Sequence, residues 1–386
     1  MKYSLVKDTI SKKEIALLSK WLLKGEKLTK GKLTLEFENK FSKYISRKYS
    51  VFVNSGSSAN LLMLSALIEG KRLKNKKAIV AAVSWSTTLA PFMQKNFDIN
   101  LCDCSNDDLG VDLKNLEYLF KKHNPSVLII VNVLGHPNKN FQIIQLCRKY
   151  NVILLEDSCE AIGTVLDGKK LGTAGILSSF SFYYGHHMST IEGGMVTTDD
   201  YELYNIMLSL RSHGWARDLS SSFKNKLKKK YKIDEFRNLY TFYYPGYNFR
   251  SMDLNAFLGI NQLKKINRIS KVRNDNFYHY KKNLNNFWIQ ESQSKFISSF
   301  AFGTLVKNRL EVFKYLKKFD IETRPLICGN VGRHPFWLEK YGSQKLKNAD
   351  IVHDYGIYLP NNYNLKKKDI DFICKKFKEV ALPEFF

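Results

Sequence analysis

Apolar residues near the start of the chain recur with the spacing of two amphipathic helices. Residues 11–14 (SKKE) have the pattern of a capping box, which marks the N-terminus of a helix. Three apolar residues follow at helical spacing: Ile15, Leu18 and Leu22. Gly25 is a suitable helix stop. The pattern therefore predicts a first helix that ends before Gly25, and a second helix over residues 33–45.

Short apolar runs then alternate with helical patterns. The predicted strands are 51–53, 78–83, 127–133 and 152–155, and the predicted helices are 61–67, 112–122, 139–150 and 254–266. Continuous apolar strands that alternate with helices are typical of a parallel sheet covered on both faces. The shorter, mixed pattern towards residue 386 predicts a second, smaller α/β domain. We expect a large domain over residues 1–255 and a small C-terminal domain over residues 256–386.

Composition excludes several classes of protein. The chain has 386 residues, and 44% of them are hydrophobic, enough for a sizeable core. The six cysteines have no CxxC spacing, which argues against a disulfide scaffold or a zinc ribbon and predicts reduced thiols. Charges interrupt the apolar runs of the N-terminus, and no run approaches the length of a membrane span. We expect a soluble, cytoplasmic protein with no membrane partner.

The charge leaves two interpretations open. The chain has 61 Lys and Arg against 36 Asp and Glu, a net charge of +25. Such a balance would suit a nucleic-acid-binding regulator. However, no nucleic-acid-binding motif is present, and apart from the run at 224–232 (KNKLKKKYK) the lysines are scattered. A lysine-rich solvated surface explains the charge better, and we expect no nucleic-acid partner.

Three segments carry chemistry. The run NSGSSAN (54–60) lies between a strand and a helix, where Gly56 lets a ligand approach the backbone and the amides of Ser57 and Ser58 could bind an anion. Asp157, in EDSCEA (156–161), follows a predicted parallel strand, at the edge where α/β sheets bind ligands. A plain helix N-cap would explain either segment equally simply.

The third segment is SFSFYYGHHMSTIEGG (179–194). His186 and His187 lie in a turn flanked by glycines, which is unlike core packing and favours a catalytic role. No HxxxH or His/Cys spacing supports a metal site, so none is expected.

These segments, together with YPGYNFR (244–250) and ETRP (322–325), occur in the order found in the sugar aminotransferase family of fold type I (DegT–StrS-like), which the chain resembles from about residue 20 onward. The resemblance implies an α/β, fold type I aminotransferase-like architecture: a large domain with a mostly parallel central sheet covered by helices, and a smaller α/β domain. It also implies pyridoxal phosphate (PLP) as cofactor.

One departure from the family changes the expected reaction. The family's cofactor-binding lysine falls five residues after Ser181, and this chain has His186 there. An imidazole cannot hold PLP covalently, so the resemblance is to the lysine-less 3-dehydratase branch, which uses non-covalent PLP and its pyridoxamine form, PMP. The iron-dependent kind in this branch needs four clustered cysteines, and only Cys328 and Cys374 lie in the last third. The resemblance is therefore to the iron-free kind, with no iron–sulfur cluster and no bound metal.

The resemblance implies a role for each matched residue. Asp157 pairs with the pyridine nitrogen, Trp85 stacks on the ring, and Glu160 lies against the cofactor; a core position is the alternative for Trp85. The resemblance also implies which residues contact the phosphate and which contact the substrate. The phosphate residues are Gly56, Ser57, Ser58 and Ser181, with Asn248 reaching across from the other subunit of a homodimer; the residues that contact substrate or glutamate are His213, Arg217, Arg250 and Arg324.

The implied reaction removes the C3 hydroxyl of a GDP-linked 4-keto-6-deoxy sugar, GDP-4-keto-6-deoxymannose, for deoxysugar biosynthesis. L-glutamate regenerates PMP, and ammonia is released. His186 serves as the base, with a pKa expected near its ordinary value. Two alternatives remain: the same dehydration of a GDP-linked 4-keto-6-deoxyheptose, or a nucleotide-sugar aminotransferase.

Overall fold

The structure is a computed structural model that describes residues 1–386. The helices are α1 (Lys12–Leu22), α2 (Lys32–Ile45), α3 (Gly56–Glu69), α4 (Ser86–Gln94), α5 (Leu113–His123), α6 (Asn140–Lys149), α7 (Tyr201–Arg211), α8 (Ser221–Tyr231), α9 (Asp253–Leu263), α10 (Ile266–Asn283), α11 (Arg309–Lys317), α12 (Pro335–Tyr341), α13 (Lys347–Tyr355) and α14 (Lys367–Lys378). The strands are β1 (Tyr49–Val53), β2 (Lys77–Ala81), β3 (Asp98–Cys102), β4 (Val127–Val131), β5 (Ile153–Asp157), β6 (Val165–Leu166), β7 (Lys169–Lys170), β8 (Leu177–Ser181), β9 (Gly194–Thr198), β10 (Phe302–Leu305), β11 (Arg324–Pro325) and β12 (Gly356–Leu359).

Seven strands form the central sheet, in the order β1-β9-β8-β5-β4-β2-β3. The pairs β5–β8, β4–β5, β2–β4 and β2–β3 are parallel, and β9 runs antiparallel to both of its neighbours. Apolar side chains of the sheet and its covering helices form one large buried core. The predicted α/β class with a mostly parallel, covered sheet is confirmed.

Helix α2 is capped from a distant part of the chain. The buried carboxylate of Asp253, at the start of α9, accepts hydrogen bonds from the amides of Gly31, Leu33 and Thr34 at 2.8, 3.1 and 2.9 Å. It also accepts one from the Thr34 hydroxyl at 2.7 Å. These donors are the unpaired amides of a helix N-terminus, so Asp253 joins α2 to α9.

The C-terminal part is built on a three-stranded antiparallel sheet, β10-β12-β11, with its own buried cluster. The predicted helix over 254–266 is wrong in its extent, because the chain forms two helices that separate at Lys264 and Lys265. Residues of α9 are buried with α2, and residues of α10 pack in the second cluster. The domain bounds 1–255 and 256–386 stay a prediction.

The first residues of the chain are attached to its last third. The Tyr3 amide donates to the Asp320 carbonyl, and the Glu322 amide donates back to the Tyr3 carbonyl, both at 3.0 Å. The Leu5 amide donates to the Glu322 carboxylate at 2.9 Å. The N-terminal segment is therefore held by a short bridge to the residues that precede β11.

The remaining surface features agree with the sequence pattern. The capping box at the start of α1 is present, and Gly25 follows the helix with a φ of 68°. The lysine-rich run forms α8, which buries only Phe223 and Leu227 and leaves its lysines at the surface. None of the helices has the length and hydrophobicity that a membrane span requires.

Candidate active site

The candidate site lies where β5, β8 and the N-terminus of α3 meet. Asp157 is the last residue of β5, and Ser181 is the last residue of β8. Gly56 begins α3, and a Cβ atom at this position would lie 2.7 Å from Ser181 Cβ and 3.1 Å from Cys159 Sγ. The close approach that requires a glycine is therefore to protein atoms, and it brings the three segments together.

Asp157 is held by three hydrogen-bond donors. Asn60 Nδ2 donates to Asp157 Oδ2 at 2.8 Å, and Thr88 Oγ1 donates to the same oxygen at 2.7 Å. The Cys159 amide donates to Oδ1 at 3.1 Å. The preceding residue, Glu156, points to the other face of the sheet, where it accepts from the Gly172 amide. Of these two adjacent residues, Asp157 therefore lies in the candidate site and Glu156 has a structural role.

The start of α3 offers unpaired amides. The Ser58 amide is not one of them, because it donates to the Ser55 side chain at 3.0 Å; the phosphate contact of Ser58 stays a prediction. The amides of Gly56 and Ser57 have no acceptor in the protein. The N-terminus of a fourteen-residue helix with two free amides favours an anionic group.

His186 lies in the loop after β8, with its ring 5.3 Å from the ring of Phe300. Its Nδ1 is buried without a hydrogen-bond partner. Burial, followed by the nearby Arg273 charge, lowers the pKa of His186 to about 4, although the backbone of Cys159 acts in the opposite direction. The expectation of an ordinary pKa is therefore wrong, and the imidazole is neutral at neutral pH.

His187 differs from its neighbour. Its side chain is fully buried, and its Nε2 lies 2.6 Å from the Ser298 carbonyl oxygen. Burial also holds the pKa of His187 well below its ordinary value. The expectation that the histidine pair is unlike core packing is wrong for His187, which links the loop to the segment before β10.

Glu160 and Trp85 complete this part of the site. The Glu160 carboxyl accepts from the Leu134 amide at 2.9 Å. Burial, with a further contribution from the charge of Asp157, raises the pKa of Glu160 to about 8. Trp85 precedes α4 and is 57% exposed, which excludes a core position and leaves its ring free for stacking.

The residues predicted to contact the substrate lie on segments other than those that carry Asp157 and His186. Arg217 and Arg250 line a cavity of about 440 Å³ with Lys27 and Lys30, and Arg217 lies 5.3 Å from the ring of Trp215. No hydrogen bond or ion pair joins these arginines to the carboxylate of Asp157 or to His186. The exposed His213 and Asn248 lie on the segments that pass this cavity, close to Ser212.

Arg324 lies on β11 and forms an ion pair with Glu322 at 2.8 Å. Its register partner is Tyr358, on which the charges of Glu160 and Arg324 both act. Arg324 is not among the residues that line the 440 Å³ cavity. The roles assigned to all these residues stay predictions.

The cysteine and carboxylate side chains are not grouped as metal ligands. All six cysteines are free, and no group of three or more His, Cys, Asp or Glu side chains is arranged to hold a metal ion. The absence of iron from the reaction stays a prediction that rests on the positions of the cysteines in the sequence.

Residues 9–378 match the model of the DegT/DnrJ/EryC1/StrS aminotransferase family, and the chain belongs to this family. Among curated relatives, it is 34% identical over 373 residues to the GDP-4-keto-6-deoxy-D-mannose 3-dehydratase of Yersinia pseudotuberculosis, covering 93% of this chain and 94% of that one. Two solved structures of GDP-4-keto-6-deoxymannose-3-dehydratase superpose with TM-scores of 0.87 at 30% identity, covering 97% of this chain and 100% of theirs. One is a variant with bound GDP-perosamine, and the other holds a trapped PLP–glutamate geminal diamine.

Sequence reasoning missed the residues that hold Asp157. Asn60 was inside a recognised motif, four residues after Gly56, so a helix would place the two about 6 Å apart along its axis. That spacing is a usable signal for Asn60. Thr88 carries no comparable signal, since only the fold brings α4 to the end of β5.

Proposed function

We propose that the chain is a 3-dehydratase that uses PLP and PMP to remove the C3 hydroxyl of GDP-4-keto-6-deoxymannose, with L-glutamate as amino donor and release of ammonia. The observation that carries the proposal is His186 at the position of the family's cofactor-binding lysine, near a buried carboxylate that ends a strand. The similarity to GDP-4-keto-6-deoxy-D-mannose 3-dehydratase over most of both chains supports the choice of substrate.

The residues of the site suit a pyridine ring that carries a phosphate. Two unpaired amides at the N-terminus of α3 suit the phosphate, with the Ser181 hydroxyl beside them. The Asp157 carboxylate, which accepts from Asn60 one helical turn further along α3, suits a protonated ring nitrogen. The exposed Trp85 ring suits the face of the pyridine. The donor set therefore fits PLP held without a covalent bond.

When bound, PLP and PMP supply an electron sink and a carrier for the glutamate amino group. The chain supplies the proton chemistry. His186 is neutral at neutral pH and can take up a proton, and once protonated it can give that proton to the departing C3 hydroxyl. Asp157 holds a proton on the ring nitrogen as an acceptor. Glu160, with a pKa raised to about 8, is mostly uncharged at neutral pH and so adds no second full charge beside Asp157.

A shared active site in a homodimer is part of the proposal. The exposed aromatic and aliphatic side chains of one segment support it: Phe236, Leu239, Tyr240 and Phe242. Such a cluster is typical of a surface that another chain covers. In this arrangement Asn248 contacts the phosphate in the neighbouring subunit, while Arg217 and Arg250 contact the diphosphate or glutamate. We propose a cytoplasmic location, where nucleotide sugars are made.

One assay tests the function. The protein is incubated with GDP-4-keto-6-deoxymannose, PLP and glutamate labelled with heavy nitrogen, without iron or a reductase, and the sugar product is weighed. Dehydration gives a sugar lighter by one oxygen atom, and the labelled nitrogen appears as ammonia. Labelled nitrogen kept in the sugar would instead indicate an aminotransferase. Turnover only with the corresponding heptose would identify the GDP-linked heptose as the substrate. Turnover that depends on iron and a reductase would refute the iron-free mechanism.

A further inference from the structure

Three buried side chains form a chain of hydrogen bonds behind the carboxylate of Asp157. Ser179 Oγ donates to Asn60 Oδ1 at 2.6 Å, and Asn60 Nδ2 donates to Asp157 Oδ2 at 2.8 Å. Thr88 Oγ1 donates to the same carboxylate oxygen at 2.7 Å. All four residues are at most 5% exposed. We call Ser179, Asn60 and Thr88 the carboxylate support.

The hydrogen bond from Ser179 to Asn60 determines which group of the Asn60 amide faces Asp157. The Ser179 hydroxyl can donate to Asn60 only while the amide oxygen faces it, and this orientation turns the amide NH₂ towards Asp157. Without Ser179, the Asn60 amide oxygen loses its donor, and the orientation of the amide depends on Asp157 and on the longer bond to the Thr87 carbonyl at 3.4 Å. Ser179 is the register partner of Asp157 on the neighbouring strand, but no hydrogen bond joins their side chains, so Ser179 acts on the Asp157 carboxylate through Asn60.

The two oxygens of Asp157 are used differently. Oδ2 accepts two strong bonds from the carboxylate support, whereas Oδ1 accepts one bond, from the Cys159 amide at 3.1 Å. A carboxylate oxygen has two lone pairs, so Oδ2 is fully used and Oδ1 retains one free position.

We propose that Ser179, Asn60 and Thr88 are positioning residues that present Asp157 Oδ1 to the nitrogen of a pyridinium cofactor. The inference rests on the proposed function, since it requires that PLP is the ligand. It goes beyond that function by naming the oxygen that meets the cofactor and the residues that aim it.

PLP binding in the absence of sugar and glutamate tests the proposal, because its readout does not depend on turnover. Each purified chain is titrated with PLP, and the dissociation constant and absorption spectrum of the bound cofactor are measured. Removal of one neutral hydrogen bond in Ser179→Ala should weaken binding about two- to tenfold, and Thr88→Val, which loses a bond to a charged group, should weaken it about tenfold or more. Both variants should shift the absorption band.

Ser178 provides the matched control. It is also fully buried on β8, but its hydroxyl faces Glu156 at 3.3 Å on the other side of the sheet. Ser178→Ala should bind PLP as the wild type does. The Thr88→Ser variant keeps the hydroxyl and should also resemble the wild type. Melting temperatures of the Ser178→Ala and Ser179→Ala chains that equal the wild-type value without PLP show that neither has lost its fold.

A double-mutant cycle separates the two arms of the carboxylate support. If Ser179 acts through Asn60, then Ser179→Ala should have no further effect in an Asn60→Ala chain. Wild-type affinity and spectrum in both Ser179→Ala and Thr88→Val would overturn the inference and leave the proposed function standing. A wild-type chain that does not bind PLP would overturn both.

Discussion

His186 decides which of two reactions the site can perform, because an amine at this position can bond to PLP and an imidazole cannot. We predict that His186→Lys can be fixed to PLP by borohydride, whereas the wild type cannot. The same change should lower dehydration about 100-fold or more, since a lysine amine that bonds to PLP replaces the imidazole that takes up the proton. Mass spectrometry of the reduced, denatured chains gives the first result, and the product assay gives the second. Dehydration by the lysine variant at the wild-type rate would show that His186 is not the base.

Glu160 gives a pH test at the same scale. With a pKa raised to about 8, the carboxyl is largely protonated at pH 7 and gains a negative charge beside Asp157 above pH 8. We predict that activity of the wild type declines as the pH rises through this value. Glu160→Gln is uncharged at every pH, so its activity at pH 7 should stay within about threefold of the wild type and its alkaline decline should disappear. An unchanged alkaline profile in this variant would assign the decline to another group.

Single residues of the site were predictable where a motif or a strand end marked them. Asp157, Ser181 and His186 were proposed in this way, and the structure brings their segments together. The pKa of His186 could not be predicted, because the burial and the Arg273 charge that lower it come from residues distant in sequence. The pairing of Thr88 with Asp157 was equally out of reach, since it depends on how α4 packs.

At the scale of the elements, Asp253 joins two helices through four donors. We predict that Asp253→Ala lowers the free energy of unfolding by about 2–4 kcal/mol, because it removes a helix cap and leaves buried donors without an acceptor. Asp112 provides the comparison, since it caps α5 through one amide, that of Asn115, at 2.7 Å. Asp112→Ala should cost about 1 kcal/mol. Equal losses in urea unfolding would contradict the special role of Asp253.

Elements with a regular apolar pattern were predicted, and those without it were missed. Helix α2 and strand β4 follow their apolar periodicity closely. Strand β8 (LSSFS) was hidden by its buried serines, which the fold uses as hydrogen-bonding groups. The separation of α9 from α10 was hidden because Lys264 and Lys265 are good helix formers, and only packing against two different clusters divides them.

The whole molecule should be sensitive to acid through its buried histidines. Burial lowers the pKa of His136 to about 3 and of His186 to about 4, and holds that of His187 well below its ordinary value of 6.5. The unfolded chain therefore binds more protons as the pH falls from 6.5 towards 4, so the free energy of unfolding declines over this range. The slope can reach about 1.4 kcal/mol per pH unit for each histidine.

We predict that His187→Gln, which keeps a donor for the Ser298 carbonyl, makes this decline shallower. Urea unfolding at a series of pH values between 4 and 7 measures the slope. His213→Asn is the control, because His213 is exposed and has a positive φ of 65° that asparagine tolerates. A slope in His187→Gln that equals the wild-type slope would contradict the assignment.

The proposed shared site also makes a prediction for the assembled molecule. Asn248→Asp places a carboxylate against the neighbouring subunit's phosphate, and His186→Asn removes the base, so each variant alone should lose most activity. A mixed dimer has one site in which both substitutions meet and one site with neither. We therefore predict that mixing the two variants after partial unfolding and refolding restores activity. Continued inactivity of a verified mixed dimer would place Asn248 in its own chain's site.

The attachment of residues 3–5 to Asp320 and Glu322 has a consequence for the order in which the protein is made. The partners lie 317 positions apart in the case of Leu5 and Glu322, so the beginning of the chain leaves the ribosome long before its binding place exists. Contacts of such long range form late in folding, since the intervening chain must first be ordered. Residues 3–5 therefore have no binding partner during synthesis until the segment with Asp320 and Glu322 has been made. Removal of residues 3–5 should therefore destabilise the part of the protein around Asp320 and Glu322 rather than the N-terminal part.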